Sequence, residues 1–172
     1  MNQPNDYQKT ALDRLLYTAS ATARILQITT DGIETVTAGD EGCQVSLREK
    51  TGTIEIPRAN YIRQFVADRQ ARSQSLSATQ HIDKKTVWTV WNESNNNRYT
   101  VTVTRDFVHC DCPDWQNQQE AFDTVKVCCK HGYAVLRQLG FGTLKDYLKA
   151  WRTDGKLSQL QAKLTQKRRG KR

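Results

Sequence analysis

No apolar run in this 172-residue chain approaches the roughly 18 consecutive residues that a helical membrane span requires, and the mean hydropathy is low, at −0.73. The opening residues, MNQPNDYQKT, have neither the basic n-region nor the apolar h-region of a secretory signal. A cytoplasmic chain is therefore expected, or a nuclear one in a eukaryote, with no membrane partner. No internal repeat appears. H-E-x-x-H, P-loop, G-x-S-x-G and G-x-G-x-x-G patterns are all missing, so no familiar catalytic motif is present and a non-enzymatic role without a small-molecule substrate is expected. What is present suffices for a core: 37% of residues are hydrophobic, with four Trp, six Tyr and four Phe. That suits one domain or two small ones rather than a disordered chain.

The formal net charge is +8, and its placement says more than its size. The last ten residues, KLTQKRRGKR, hold six bases and no acid, whereas the other 162 hold 20 bases against 18 acids. A basic tail on a nearly neutral body suits a polyanionic partner. The candidate nucleic-acid contacts are Lys163, Lys167, Arg168, Arg169, Lys171 and Arg172, with Lys145, Lys149, Arg152 and Lys156 adding phosphate contacts upstream. DNA is expected ahead of RNA. The bland alternative is a solvated tail that aids solubility. Trp88, Trp91, Trp115 and Trp151 have ring faces on which bases stack, but Trp in a strand or an amphipathic helix is more often core.

The fold class expected is α+β: an N-terminal helix and small antiparallel sheet, then a pair of strands followed by helices, and a basic tail. Asn5 or Asp6 is expected to cap a first helix carrying Leu12, Leu15, Leu16 and Ala19 at helical spacing. Asp31-Gly32 reads as a hairpin turn between strands Ile25–Thr30 and Ile33–Thr37. Cys43, Val45 and Leu47 alternate with polar residues as a half-buried strand, and Ile54 with Ile56 forms another. Pro57 suits the start of a helix with Tyr61, Ile62, Phe65 and Val66 on its apolar face. Residues 68–86 read as a helix tail running into a linker. Strands are expected over Thr86–Trp91 and Arg98–Thr104, a helix over Trp115–Phe122, and another from Cys129 to Leu139. Thr143 and Asp146 form a capping-box pattern before Leu144, Tyr147, Leu148 and Trp151. Leu157, Leu160 and Leu164 stripe a last helix. The domains expected are 1–80, 81–140 and 141–172.

Five cysteines are present: Cys43, Cys110, Cys112, Cys128 and Cys129. Four fall within twenty residues, beside His109 and His131. In a reducing compartment such a cluster reads as metal before disulfide, and the odd count agrees. Cys110-x-Cys112 and Cys129-x-His131 match what Zn²⁺ prefers, four tetrahedral ligands drawn from thiolate and imidazole. Residues i and i+2 point the same way in an extended segment but diverge by roughly 200° in a helix. Cys129 must therefore lie just before a helix, with His131 in its first turn. Helix dipole and thiolate favour each other there. Four closed ligands describe a structural site, not a catalytic one. The register Cys128-x-x-His131 is open as an alternative. Cys43 reads as a small core residue, His109 as a surface or supporting residue, and His81 as part of the linker.

The paired Cys followed by Pro113, the Cys129-Lys130-His131 triplet opening an Ala134-Val135 helix, and the upstream Trp88-Thr89-Val90 and Tyr99-Thr100-Val101 strands together resemble the SWIM zinc finger, C-x-C-x(n)-C-x-H. The resemblance covers roughly residues 86–140 and favours Cys129 over Cys128, because C-x-H is the family spacing. It implies a ββα fold with one structural Zn²⁺ on Cys110, Cys112, Cys129 and His131, and a role in binding nucleic acid or protein. Gly132 departs from the pattern, standing where the family commonly has an aliphatic residue. The function expected is that of a zinc-binding accessory protein acting on nucleic acid through this module and the tail. The alternative is an adaptor for a larger recombination, transposition or ATPase partner.

Overall fold

Helix formation begins at Thr10, the first residue of the two stretches, 10–92 and 96–152, that the computed structural model describes. The Thr10 hydroxyl accepts the Asp13 backbone N–H at 3.2 Å, and the Asp13 carboxylate accepts the Thr10 N–H at 3.0 Å. This reciprocal capping box starts α1 (Ala11–Leu16). The expected caps, Asn5 and Asp6, lie outside the described residues. The helix does not run on to Ala19 as its spacing suggested. Tyr17 leaves helical geometry, and Thr18 caps a second helix, α2 (Ala19–Leu26), by accepting the Ala21 N–H. The strand expected over Ile25–Thr30 is instead the end of α2, a left-handed Gln27 and the approach to a 3₁₀ turn at Thr30–Gly32. Asp31-Gly32 thus closes no hairpin.

The chain divides into two compact units, one comprising Met1–Ala71 with Glu120–Asp123 and the other Arg72–Gln119 with Thr124–Arg172. In the first, β1 (Ile33–Ala38), β2 (Gly42–Leu47) and β3 (Thr53–Pro57) form an antiparallel meander. Its register aligns Val36, Val45 and Ile54, and next to them Ala38, Cys43 and Ile56. Leu16, Tyr17, Ala23, Ile33, Val45, Ile56 and Tyr61 are buried together, and Cys43 is a core residue among them. Pro57 ends β3 and α3 (Arg58–Ser73) follows, its Tyr61 fully buried while Ile62 is left exposed. The Tyr61 hydroxyl lies 2.7 Å from Thr22 Oγ1 and 2.9 Å from Cys43 Sγ, which ties α2, β2 and α3 through one oxygen.

The second unit holds a four-stranded antiparallel sheet in the order β4 (Ser77–Gln80), β5 (Val87–Trp91), β6 (Arg98–Val103) and β7 (Val108–Cys110). The ββ pair expected from sequence is its centre. β4 falls in the stretch read as linker, because SATQ has no large apolar residue and shows its strand character only by pairing Ser77 with Trp91 and Gln80 with Trp88. α4 (Pro113–Phe122), α5 (Lys130–Gln138) and α6 (Leu144–Arg152) complete the described elements. Trp88, Val90, Val101, Val103 and Val108 are buried, as are Tyr133, Ala134, Val135 and Leu136 of α5, which lies on the sheet. Gly140, at φ +86°, ends α5 in a left-handed turn that L side chains adopt reluctantly. Arg137 of α5 donates to the Ser73 and Leu76 carbonyls. Thr143 caps α6, whose buried Tyr147 donates to the Thr104 carbonyl at 2.7 Å. Among the described residues no helix is long and apolar enough to cross a membrane. The helix expected over Leu157–Leu164 and the basic tail lie outside them.

Tyr61→Phe should destabilise the first unit by about 1 kcal/mol, the ordinary net worth of a buried hydrogen bond. The loss stays small because Thr22 Oγ1 also donates to the Thr18 carbonyl. Tyr61→Ala should cost about 3–5 kcal/mol by leaving a cavity. Urea midpoints at constant slope measure both, and equal losses would show that the hydroxyl, not the ring, dominates.

Candidate metal centre

Cys110 closes β7, paired with Val101 of β6, and Cys112 stands immediately before Pro113 opens α4. Asp111 between them is tied to β6 twice: its N–H donates to the Thr100 carbonyl at 3.2 Å, and its carboxylate accepts the Thr100 N–H at 2.9 Å. That clamp holds the C-x-C turn, so both cysteines can present to one side. Cys129 is the N-cap of α5 in extended geometry, and its sulfur accepts the Gly132 N–H at 3.5 Å. The Trp115 N–H donates instead to the Cys112 carbonyl at 3.1 Å. α5 therefore begins on a ligand sulfur, where free N–H groups and the helix dipole favour negative charge.

His131 sits in the first turn of α5, its Nδ1 3.7 Å from Cys110 Sγ and 3.9 Å from Cys129 Sγ. The ligand atoms of Cys110, Cys112, Cys129 and His131 all lie within 4.8 Å of one another. None of the four residues is more than 4% exposed. A tetrahedral ion with ligands at ~2.0–2.3 Å spaces them roughly 3.5–3.8 Å apart, so the observed separations are close to that requirement. The Tyr99 ring stacks on the imidazole, with centroids 4.3 Å apart and 30° between planes. The expected four residues are thus brought together, and Cys128 is not among them: its thiol donates to the Cys129 carbonyl at 3.7 Å.

The hydrogen bond with Cys110, then that with Cys129, holds the Cys112 thiol far below its ordinary range against the cost of burial. Cys110 is pushed far up by its hydrogen bonds to Cys112 and Cys129, with burial adding to them. For Cys129 the bond with Cys110 lowers the pKa, but the bond with Cys112 and burial outweigh it, and the thiol is pushed up to about 12. The three thiols thus titrate as one group, in which a thiolate is stabilised by its protonated neighbours and burial opposes further ionisation.

The remaining candidates fall elsewhere. His109 is half-buried against Trp115, with ring centroids 4.5 Å apart, and Trp115 donates its indole N–H to the Val108 carbonyl. His81 pairs with Thr89 Oγ1. Trp88 and Trp115 are core, while Trp91 and Trp151 are half-buried. Lys145 and Lys149 are exposed on α6, which Arg152 ends. Lys156, Lys163, Lys167, Arg168, Arg169, Lys171 and Arg172 lie outside the described residues. Sequence reasoning missed the two residues that support the ligands, Tyr99 and Asp111. For Tyr99 a signal existed, since it alternates in phase with Val101 on the strand face that carries Cys110.

Fold and site together define a mixed α/β chain of two small units, one carrying a buried Cys₃His cluster suited to a single metal ion. Comparisons with protein-family models, curated proteins and solved structures find no match to this chain.

Elemental analysis should find one metal ion per chain, and Cys129→Ser should lose it while Cys128→Ser keeps it. The opposite pattern would place the ligand at 128. Loading should also release protons near neutral pH, because ligand thiols must be deprotonated and the cluster holds thiols raised by burial. Raised thiol pKa values mean that affinity climbs as pH rises. Calorimetry in buffers of different ionisation enthalpy reads the proton count, and a heat independent of buffer would contradict the thiol assignment.

Proposed function

We propose that this chain is a zinc-binding, non-enzymatic accessory protein that carries a SWIM-type zinc finger and binds nucleic acid, DNA ahead of RNA, in the cytoplasm or nucleus. The observation that carries the zinc assignment is the donor set, three sulfurs and one imidazole nitrogen in a closed, buried group of four. Thiolate-rich tetrahedral shells select zinc, and a complete set of protein ligands leaves no position for a substrate. Bound there, Zn²⁺ would supply a cross-link joining the end of β7 to the starts of α4 and α5. The C-x-C-x(16)-C-x-H spacing, the β5–β6 pair and the helix opened by Cys129 support the SWIM reading.

Support for nucleic acid comes from the one-signed tail. Its six cations have no interleaved aromatic, so they meet phosphates without reading base edges. Each phosphate neutralised on duplex DNA contributes about 0.9 to the slope of log affinity against log salt. Removing residues 163–172 should flatten that slope by up to ~5 if all six engage, and should leave the ranking among DNA sequences unchanged. Binding titrations of full-length and truncated protein across a salt series, with single- and double-stranded oligonucleotides of DNA and RNA, measure this. An unchanged slope, or no binding at low salt, would sink the nucleic-acid reading and favour the adaptor for a larger recombination, transposition or ATPase protein.

A further inference from the structure

Two cysteines stand side by side at the start of α5, and the sequence permits a ligand at either position. Cys129 joins the cluster, while Cys128 is buried at 6% exposure outside it. Cys128 precedes the N-cap of α5 and Gly132 lies in its first turn, and the space beside Gly132 shows where the Cys128 sulfur goes. A β-carbon on residue 132 would lie 2.7 Å from Cys128 Sγ and 3.2 Å from Val108 Cγ1. The first distance is shorter than any relaxed carbon–sulfur contact. The Cys128 sulfur therefore occupies the berth that a side chain at 132 would need, and the berth exists because residue 132 is glycine.

We infer that Cys128 and Gly132 are a size-matched pair that parks the Cys128 thiol away from the metal and so selects Cys129-x-His131 as the ligand register. Cys128 is then a positioning residue, not a ligand. A methyl group at 132 would drive the sulfur to another of its few staggered rotamers within a closely packed interior. Otherwise it would tilt the first turn of α5, where the Gly132 N–H donates to Cys129 Sγ. Either response disturbs the ligand set. The sulfur and the methyl compete for one space, so removing the sulfur should make room for the methyl. The register half of this inference rests on the metal reading above, and the packing half does not.

The test is a double-mutant cycle in the full-length protein with Cys128→Ala, Gly132→Ala and the double variant. Each is followed by Co²⁺ titration, with thiolate-to-cobalt absorption as the readout, and by the thermal midpoint of the protein as purified. Helix propensity alone favours Ala over Gly, so a loss at 132 runs against that trend. Gly132→Ala should weaken Co²⁺ binding about tenfold or more, within the usual range of overpacking effects, and lower the midpoint. Cys128→Ala should keep wild-type affinity and the full three-thiolate absorption. The double variant should recover to within about threefold of wild type, since it conserves the packed volume. The inference is overturned if Gly132→Ala behaves as wild type, if the double variant is no better than Gly132→Ala, or if Cys128→Ala loses thiolate absorption. A wild-type protein that takes up no Co²⁺ would remove the metal reading and the register half with it. The midpoints would then still decide the packing half.

Discussion

Three sulfurs and an imidazole nitrogen gathered in a buried space are costly unless something consumes their protons and charge. The second unit is arranged around that constraint. β7 ends at Cys110, α4 starts after Cys112 and α5 starts after Cys129. At the start of α5 the Gly132 N–H reaches the Cys129 sulfur, so that helix satisfies one of its own orphan donors at a ligand. The clamp of Asp111 on Thr100 and the stack of Tyr99 on His131 extend the arrangement into β6. Sheet, turn and helix thus meet at one place, and a metal ion there would join the end of β7 to the starts of α4 and α5.

The first unit is stabilised differently. Its helices and meander close around Val45, Ile56, Leu16 and Tyr61, with a single buried hydroxyl linking three elements. Its buried acid, Asp13, serves the Thr10 cap and lies 3.7 Å from Arg58, which in turn donates to the Tyr17 hydroxyl. These are devices of ordinary core packing and capping, and they call for no ion. One chain therefore combines a core held by apolar burial with a unit that buries a Cys/His cluster beside its apolar core.

Gly132 looks like a weakness when read as a helix residue, since glycine is the poorest helix former after proline. In the structure it is a consequence of having a second cysteine next to a ligand: the space that its missing side chain leaves is where that sulfur lies. The second cysteine and the glycine thus share one space. The basic tail stands apart from this logic. Its charges are a matter of composition, and they would act on phosphate by attraction.

Much of this was legible in local pattern. Alternation marked β2, β5 and β6, because a half-buried strand writes its two faces into every second residue. The C-x-C and C-x-H pairs marked the four ligands, because one ion demands donors that point the same way at short spacing. The mixed α and β character followed from the same periodicities. What local pattern could not determine depended on partners distant in the chain. Ile25 and Leu26 sit in a helix that packs them against a core including Val45, Ile56 and Tyr61. β4 is a strand because Trp88 and Trp91 are beside it, although its own four residues are polar. The support of His131 by Tyr99 joins residues far apart in sequence. The choice of Cys129 over Cys128 was expected from family spacing, but its physical cause was hidden, because a berth for one sulfur is a matter of volume that only the packed chain defines.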